Sequence, residues 1–362
     1  MPPQKRVTTK MIAEHIGMSQ STVSMILSNK PHVSFAPETV DKVLQAAKDL
    51  GYEKRVKSPK ANQSLLTDTI MIICPILSNG YYTMMTHSIA ERALEYGYST
   101  FIAPTMRDPE IEEHYLRMFS KLNLCGIIYL YPPAVVQMAN ALSTQLPIVS
   151  IGDKSPDSTF DSVELDSKKP GYLLGKHLIS LGHTHVTYIS TPINEKEIGR
   201  ISRLEGLRRA FRKHDLPVEN VEMIAADFNT YSEYSPNTSE YDAGYDLTLK
   251  ILDRNTQSTA FIGNNDMTAF GIMSALASRG FRIPQDYSVC GFDNVPLSNM
   301  PQISLTTIEH ASELKGQEAV DIIYRKHHSK RKRNGMKYNY IMRLEYEPEL
   351  IIRNSTGKRK RR

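Results

Sequence analysis

The chain has 362 residues, of which 40% are hydrophobic and 23% are charged, a composition that excludes disordered and collagen-like proteins and indicates two or three globular domains. Its formal net charge is +5, but residues 1–60 hold ten Lys and Arg against five Asp and Glu, and the last five residues are all basic. The region between these ends is therefore mildly acidic, which predicts that nucleic acid binds at one end of the chain.

The first predicted element is a helix-turn-helix motif over residues 7–24. Thr8 and Ser19 stand where each helix needs a capping side chain, and Gly17 allows the positive φ of a tight turn between them. The side chains expected to be buried are Met11, Ile12, Ala13, Ile16, Val23, Ile26 and Leu27. Such a motif in a basic segment predicts a DNA-binding domain over residues 1–52.

A third helix is predicted to begin near Pro37, to bury Val40, Val43, Leu44, Ala47 and Leu50, and to end at Gly51. The second helix is the one whose first turn reads bases in such motifs. There, Gln20 can pair with adenine through two hydrogen bonds, and Ser21 can bond to any base. The residues of the head predicted to contact DNA are Thr8, Ser19, Gln20, Ser21, Thr22, Ser24, Met25, Asn29 and His32.

Residues 7–52 resemble the DNA-binding heads of the LacI/GalR repressors. The resemblance rests on Val7-Thr8, Ile12-Ala13-Glu14, Gly17-Met18-Ser19-Gln20-Ser21-Thr22-Val23-Ser24, Leu27-Ser28-Asn29, His32-Val33-Ser34 and Leu50-Gly51-Tyr52. It implies a protein that is at least a homodimer and binds a double-stranded operator. It also implies that the body behind the head has two lobes, like the periplasmic sugar-binding proteins, and binds a small effector between them.

Residues 53–68 form a predicted basic linker in which the apolar periodicity lapses. Lys57 is a candidate phosphate contact, and Ser58-Pro59 can start a short helix. The family resemblance implies that such a helix inserts a leucine into the minor groove, which makes Leu65 the candidate residue. A flexible tether without a helix is an equally good interpretation of this composition.

From residue 69 onward, short β-rich segments alternate with helical ones. Predicted strands cover 70–74, 100–103, 126–130, 148–151, 186–190, 221–225, 260–263 and 288–291, and predicted helices cover 83–96, 110–120, 171–181, 203–214, 242–252 and 267–278. This βαβ pattern predicts an α/β fold with doubly wound parallel sheets, and so many strands favour two lobes. The resemblance implies that the body covers residues 69–355 and that a basic tail covers 356–362. One lobe of the body would consist of residues 69–165 and 296–328, and the other of residues 166–294 and 329–355.

Ligands of open parallel sheets bind beyond the carboxyl ends of the strands, so polar residues that follow strands are candidate ligand contacts. The candidates, each at a position where the resembled family contacts its effector, are Asn79, Tyr81, Tyr82, Asp153, Arg203, Asn265, Asp266 and Asp293. Carboxylates and an arginine bond well to hydroxyl groups, and tyrosine rings cover the apolar face of a sugar. The predicted effector is a sugar, with nucleosides and other small polar metabolites as alternatives. Asp266 has a second interpretation, as the cap of the helix that follows it.

The three cysteines, Cys74, Cys125 and Cys290, lie apart in apolar segments without metal-ligand spacing. We expect reduced core residues, no metal site and no cofactor. No segment reaches the roughly 20 apolar residues that a membrane span requires, and no apolar leader follows Met1, so the expected location is the cytoplasm.

The function predicted from these features is a sequence-specific transcription regulator whose operator affinity depends on a bound effector. Repression is favoured over activation. Two alternatives remain. The first is a small-molecule sensor or solute-binding module without a role in DNA binding. The second is a sugar-processing enzyme that uses Asp266 and Asp293 as acid and base, although the sequence contains no nucleophile motif or phosphate loop that would support an enzyme.

Overall fold

The computed structural model describes residues 7–28, 35–50, 52, 67–153, 155–193, 198–229, 231, 240–254, 256–332 and 340–359. The chain divides into two compact units, a head that ends before residue 64 and a body that follows it. Within these described ranges, no helix combines the length and the apolar character needed to cross a bilayer.

The head contains three helices, α1 (Thr9–Ile16), α2 (Gln20–Ser28) and α3 (Pro37–Asp49). Both predicted caps are present: the Thr8 hydroxyl accepts from the Met11 amide at 3.3 Å, and the Ser19 hydroxyl accepts from the Thr22 amide at 3.1 Å. Gly17 ends α1 with φ of 67°, the left-handed conformation that the tight turn requires. The helix-turn-helix geometry therefore follows from local sequence signals.

The core of the head is smaller than the sequence predicts. Ile12, Val23 and Val43 are fully buried, but Met11 and Leu44, which we expected to be buried, are 39% and 50% exposed. Successive residues of a helix are rotated by about 100°, and this rotation places Met11 and Leu44 outside the sectors centred on the buried residues of α1 and α3. Three short helices bury one narrow stripe each, and Ala46 takes the inward position in α3 that we assigned to Leu44.

The body contains, in chain order, β1 (Thr69–Cys74), α4 (Gly80–Glu95), β2 (Ser99–Pro104), α5 (Pro109–Phe119), β3 (Gly126–Tyr129), α6 (Val136–Ser143), β4 (Ile148–Asp153), β5 (Asp161–Leu165), α7 (Lys168–Ser180), β6 (Val186–Ser190), α8 (Ile198–Lys213), β7 (Val221–Ala225), α9 (Glu240–Leu252), β8 (Ala260–Gly263), α10 (Asp266–Ser278), β9 (Ser288–Cys290), β10 (Thr307–Glu309), α11 (Ser312–Lys332), β11 (Arg343–Glu345) and β12 (Glu349–Ile351). Short 3-10 turns lie at Val218–Asn220 and Pro296–Asn299.

The first lobe is built on a six-stranded parallel sheet in the order β11-β5-β4-β3-β1-β2. Successive residues of β1 alternate between its two faces: Ile70 and Ile72 pack with α4 and α11, whereas Met71 and Ile73 pack with α5 and α6. Helices on both faces leave every residue of β1 buried, as is typical of a central strand in a parallel sheet.

The second lobe is built on a four-stranded parallel sheet in the order β7-β6-β8-β9. Helices α7 and α8 cover one face, and α9 and α10 cover the other. A Cβ atom on Gly171 would lie only 2.0 Å from the carbonyl oxygen of Arg203, so α7 can approach α8 this closely only with glycine there. This contact fixes the backbone of α8 where it carries Arg203.

The limits of the two lobes differ from those we expected near residues 296 and 329. Strand β10 pairs with β12 in an antiparallel ribbon, and Thr306 forms a β-bridge with Cys290 of the second sheet. Leu305 packs in the hydrophobic core of the second lobe. Residues 296–309 therefore lie with the second lobe and not with the first. Helix α11 then packs against α4 and continues beyond Ser329, and β11 adds to the first sheet beside β5. The chain therefore returns to the first lobe after β10 and leaves it again after β11.

Residues 356–359, which we expected to form part of a separate tail, pack on the second lobe. The amide of Gly357 donates to the Ser288 hydroxyl at 3.1 Å, and the amide of Arg359 donates to the Leu181 carbonyl at 2.9 Å. The buried ring of His183 also bonds to Gly357 and Ser288. The composition of a short basic segment carries no information on these backbone contacts, which explains the difference.

Candidate functional site

The first turn of α2 presents the predicted DNA-reading side chains. Gln20, Ser21 and Ser24 are exposed, whereas Met25 is half-buried. The Ser19 hydroxyl lies 2.8 Å from the Ser21 hydroxyl, and the Gln20 amide nitrogen donates to the Thr9 hydroxyl at 3.4 Å. Exposed amide and hydroxyl groups at the start of a second helix have the chemistry that reads base edges.

Several predicted DNA contacts lie outside the described residues. They are Asn29, His32, Lys57 and Leu65, and the choice between a hinge helix and a tether falls in the same undescribed part of the linker. All of these stay predictions.

A polar cleft lies between the two lobes, at the carboxyl ends of β1, β4 and β8. The space between its lining residues measures about 890 Å³, a volume that includes open solvent. The predicted effector contacts that line it are Asn79, Tyr81, Tyr82, Asp153, Arg203, Asn265 and Asp293. Both lobes contribute to this set, so a ligand in the cleft would touch both.

An arginine–aspartate pair forms the second lobe's side of the cleft. Arg203 Nη2 lies 3.4 Å from Asp293 Oδ1, its Nη1 donates to the carbonyl of Asn264, and its guanidinium lies 4.8 Å from the centre of the Phe292 ring. His310 Nε2 lies 3.5 Å from the same Asp293 oxygen, but burial lowers the pKa of His310 to about 4, so this ring is neutral at pH 7. Arg203 is therefore the cation that balances Asp293.

Asp153 provides the first lobe's carboxylate. It ends β4, and its Oδ1 accepts from the amide of Ser167 at 3.3 Å. Burial raises the pKa of Asp153, while hydrogen bonding from Ser167 and the charge of Arg203 oppose the rise. A Cβ on Gly199 would lie 2.7 Å from Asp153 Oδ2, so the carboxylate sits against the first turn of α8, where the helix dipole favours a negative charge.

Asp266 does not reach the cleft, and its prediction as an effector contact is wrong. It is fully buried, where its Oδ2 accepts from the Val295 amide at 3.0 Å and from the Ser298 hydroxyl at 2.6 Å, and its Oδ1 accepts from the Thr307 hydroxyl. The cap of α10 is Asn265, which accepts from the Thr268 amide at 2.9 Å. Asp266 instead holds the turn at 296–299, and burial together with Asp293 raises its pKa to about 7.

Six further polar residues line the cleft without having been predicted as effector contacts: Arg107, Tyr131, Ser167, Arg200, Glu240 and Asn264. Arg107 has φ of 54°, donates to the Tyr82 hydroxyl at 3.0 Å and lies 5.3 Å from the centre of the Tyr131 ring. Asn264 directly follows β8, so the rule that located Asn265 applies to it equally. The described residues include no group of three or more His, Cys, Asp or Glu side chains placed to hold a metal ion.

A helix-turn-helix head followed by a two-lobed body with a polar interlobe cleft defines a class, the ligand-responsive DNA-binding regulators. Residues 8–54 match the family described as bacterial regulatory proteins, lacI family, and residues 176–356 match the periplasmic binding protein-like domain. The HTH-type transcriptional regulator DegA of Bacillus subtilis (strain 168) is 30% identical to this chain over 97% of its residues and 98% of DegA. The chain therefore belongs to the LacI family.

Solved structures show the same fold. A LacI family transcriptional regulator from Enterococcus faecium with bound ribose aligns with a TM-score of 0.68 and 24% identity, over 81% of this chain and 100% of that structure. The lac repressor dimer bound to operator and the anti-inducer ONPF aligns with a TM-score of 0.67 and 24% identity, over 98% of this chain and 100% of that structure. The predictions of an α/β fold in two lobes and of a DNA-binding regulator, not an enzyme, are confirmed.

Proposed function

We propose that this regulator is a homodimeric cytoplasmic repressor that binds an operator through residues 1–52 and the linker 53–68, and whose operator affinity changes when a neutral sugar binds the cleft of the body. The observation that carries the proposal is the pairing of Asp153 from one lobe with Arg203 and Asp293 from the other around one cleft. Carboxylates that accept from vicinal hydroxyls and a guanidinium that donates to hydroxyl oxygens suit a polyol.

The charges of the cleft favour a neutral effector over a phosphorylated one. Three guanidinium groups line it, and the structure gives each a protein acceptor: Arg203 bonds to Asn264 and Asp293, Arg200 bonds to the Pro192 carbonyl at 2.9 Å, and Arg107 bonds to Tyr82. Three carboxylates, those of Asp153, Glu240 and Asp293, balance these charges. Because these opposite charges are equal in number, the cleft offers no net positive charge to a phosphate. The ribose bound to the Enterococcus faecium regulator supports a sugar.

The proposed dimer contact lies on the edge strands of the two sheets. Strand β2 ends the order of the first sheet and exposes Phe101 and Ile102, and β7 ends the order of the second sheet and exposes Met223. Exposed apolar side chains on sheet edges are typical of interfaces, because an uncovered edge of this kind promotes association. The dimeric lac repressor supports a second copy of the chain as the partner.

The DNA half of the proposal is tested by incubating the full-length protein with genomic fragments and measuring which fragments it retards in a gel. We expect selective retention of a few fragments over random duplex, because two heads on paired half-sites give specificity that one head lacks. Binding of every fragment with the affinity of random DNA, with and without a panel of sugars, would refute the proposal.

The effector half is tested with Arg203→Ala. Loss of the guanidinium should remove the ligand-induced shift in unfolding temperature and in operator affinity, while operator binding without ligand stays at the parental level. The matched control is Arg212→Ala, because Arg212 is an exposed arginine on the same helix α8. If Arg203→Ala responds to the ligand as the parent and the control do, the cleft is not the effector site.

A further inference from the structure

A buried hydrogen bond joins the two lobes across the cleft. The side-chain amide of Asn79 donates to Glu240 Oε2 at 2.8 Å. Asn79 immediately precedes α4 of the first lobe, and Glu240 is the first residue of α9 of the second lobe. Both side chains line the cleft, and they are only 6% and 8% exposed. Separation of the lobes on this side of the cleft must break the bond.

Local structure orients the Asn79 amide toward its partner. Its Oδ1 accepts from the amide of Tyr81 at 2.9 Å and so caps α4. With the oxygen held by the helix end, the nitrogen is turned toward Glu240. A bond to a buried carboxylate is stronger than one between neutral groups, because the charge strengthens it and water competes less for it.

We propose that Asn79 and Glu240 form a clasp that favours the closed form of the cleft, so that opening of the clasp controls access to the cleft. This inference rests on the proposed effector site and concerns its regulation. The Arg203–Asp293 pair lies within the second lobe, whereas the clasp joins residues 161 positions apart that belong to different lobes. An effector therefore either breaks the Asn79–Glu240 hydrogen bond as it binds or binds only after this bond has opened.

The clasp is tested by the reactivity of a thiol placed inside the cleft. Leu165 lines the cleft and is 4% exposed, and the native cysteines Cys74, Cys125 and Cys290 are fully buried. In a Leu165→Cys background, an aromatic disulfide reagent at pH 8 should therefore react chiefly with the introduced thiol, and only when the cleft opens. Asn79→Ser keeps a capping hydroxyl for α4 but removes the amide donor. We expect it to react about tenfold faster, which corresponds to ~1.4 kcal/mol in the opening equilibrium.

Three further variants separate the clasp from a general loss of stability. Glu240→Gln keeps an acceptor, so its rate should rise less than that of Asn79→Ser. Asn79→Asp keeps the cap but places a second carboxylate against Glu240, so its rate should rise most. Asp108→Ser changes the cap of α5, in the same lobe but away from Glu240, and should react at the parental rate.

A double variant completes the test. Asn79→Ser combined with Glu240→Ala should react no faster than Glu240→Ala alone, because each change removes the same bond. A parental rate for Asn79→Ser, or a double variant whose rate is the product of two independent increases, would overturn the clasp. The assay uses neither effector nor DNA. Its failure would therefore leave the proposed function standing, and failure of the operator or Arg203 tests would leave this result interpretable.

Discussion

Lys315 places a buried charge in the body, and this charge lowers the free energy of unfolding. It lies on α11 and is fully buried, and its Nζ has no hydrogen-bond partner among the described residues. Burial lowers the pKa of this ammonium group from 10.5 to about 8, although the charges of Asp153 and Glu309 oppose the fall. We predict that Lys315→Met, which retains a long unbranched side chain without the charge, stabilises the protein.

The size of the effect follows from that pKa. The interval from 10.5 to about 8 corresponds to about 3 kcal/mol, and at pH 7 the group is protonated in both states, so the folded protein carries the whole penalty. Between pH 8 and 10.5 the unfolded chain binds the proton and the folded chain does not, so the stability of the parent rises with pH. The advantage of Lys315→Met should therefore be about 3 kcal/mol at pH 7 and should disappear near pH 10.5.

Urea unfolding followed by circular dichroism at pH 7 and at pH 9.5 measures this difference. The matched control is Lys326→Met on the same helix, where the side chain is also buried but its ammonium pairs with Asp161 at 2.5 Å. That change should destabilise the protein by ~3–5 kcal/mol, because it leaves a buried carboxylate without its partner. A Lys315→Met variant no more stable than the parent at pH 7, or one with the same gain at both pH values, would refute the reasoning.

Three further predictions follow from the packing of the head and the lobes. Gly171→Ala should destabilise the body by ~1–3 kcal/mol and weaken effector binding, because its Cβ would clash with the carbonyl oxygen of Arg203. An unchanged urea midpoint and an unchanged effector affinity would contradict this prediction. Gln20→Ala should reduce discrimination among operator variants in a competition gel shift, whereas Gln45→Ala on α3 should not; equal effects would argue against base reading by Gln20. Phe101→Glu should shift sedimentation toward monomer, and a persistent dimer would exclude the β2 edge.

Local signals explain how much of the fold the sequence predicts. The caps Thr8 and Ser19, the left-handed Gly17 and the alternation of strands with helices depend on neighbouring residues, and the structure contains all of them. The short strands β10, β11 and β12 were not predicted, because three residues are too few to show a period. Their pairing partners lie 40 or more residues away in the chain, and this explains why the lobe limits near 296 and 329 were misplaced.

The cleft shows the same division between local and long-range information. Residues that follow strands, such as Asp153 and Asn265, reach it because the carboxyl ends of parallel strands share one edge. Asp266 follows the same rule but turns away, because Val295, Ser298 and Thr307, all remote in sequence, each supply a donor to its carboxylate. Glu240 lies at the start of α9 and adjoins none of the described strands, so only the tertiary structure identifies it as a cleft residue.

The location of the charges explains how one ligand can distinguish between two conformations of the body. A ligand shifts a conformational equilibrium only by its difference in affinity for the two states. Had the carboxylates and arginines all belonged to one lobe, a sugar would bind open and closed bodies alike. Asp153 and Tyr82 stand on the first lobe and Arg203 and Asp293 on the second, so hydroxyl groups can satisfy both sets only at one lobe separation. The clasp between Asn79 and Glu240 would set the separation that the ligand has to change, which makes the strength of that hydrogen bond a determinant of effector sensitivity.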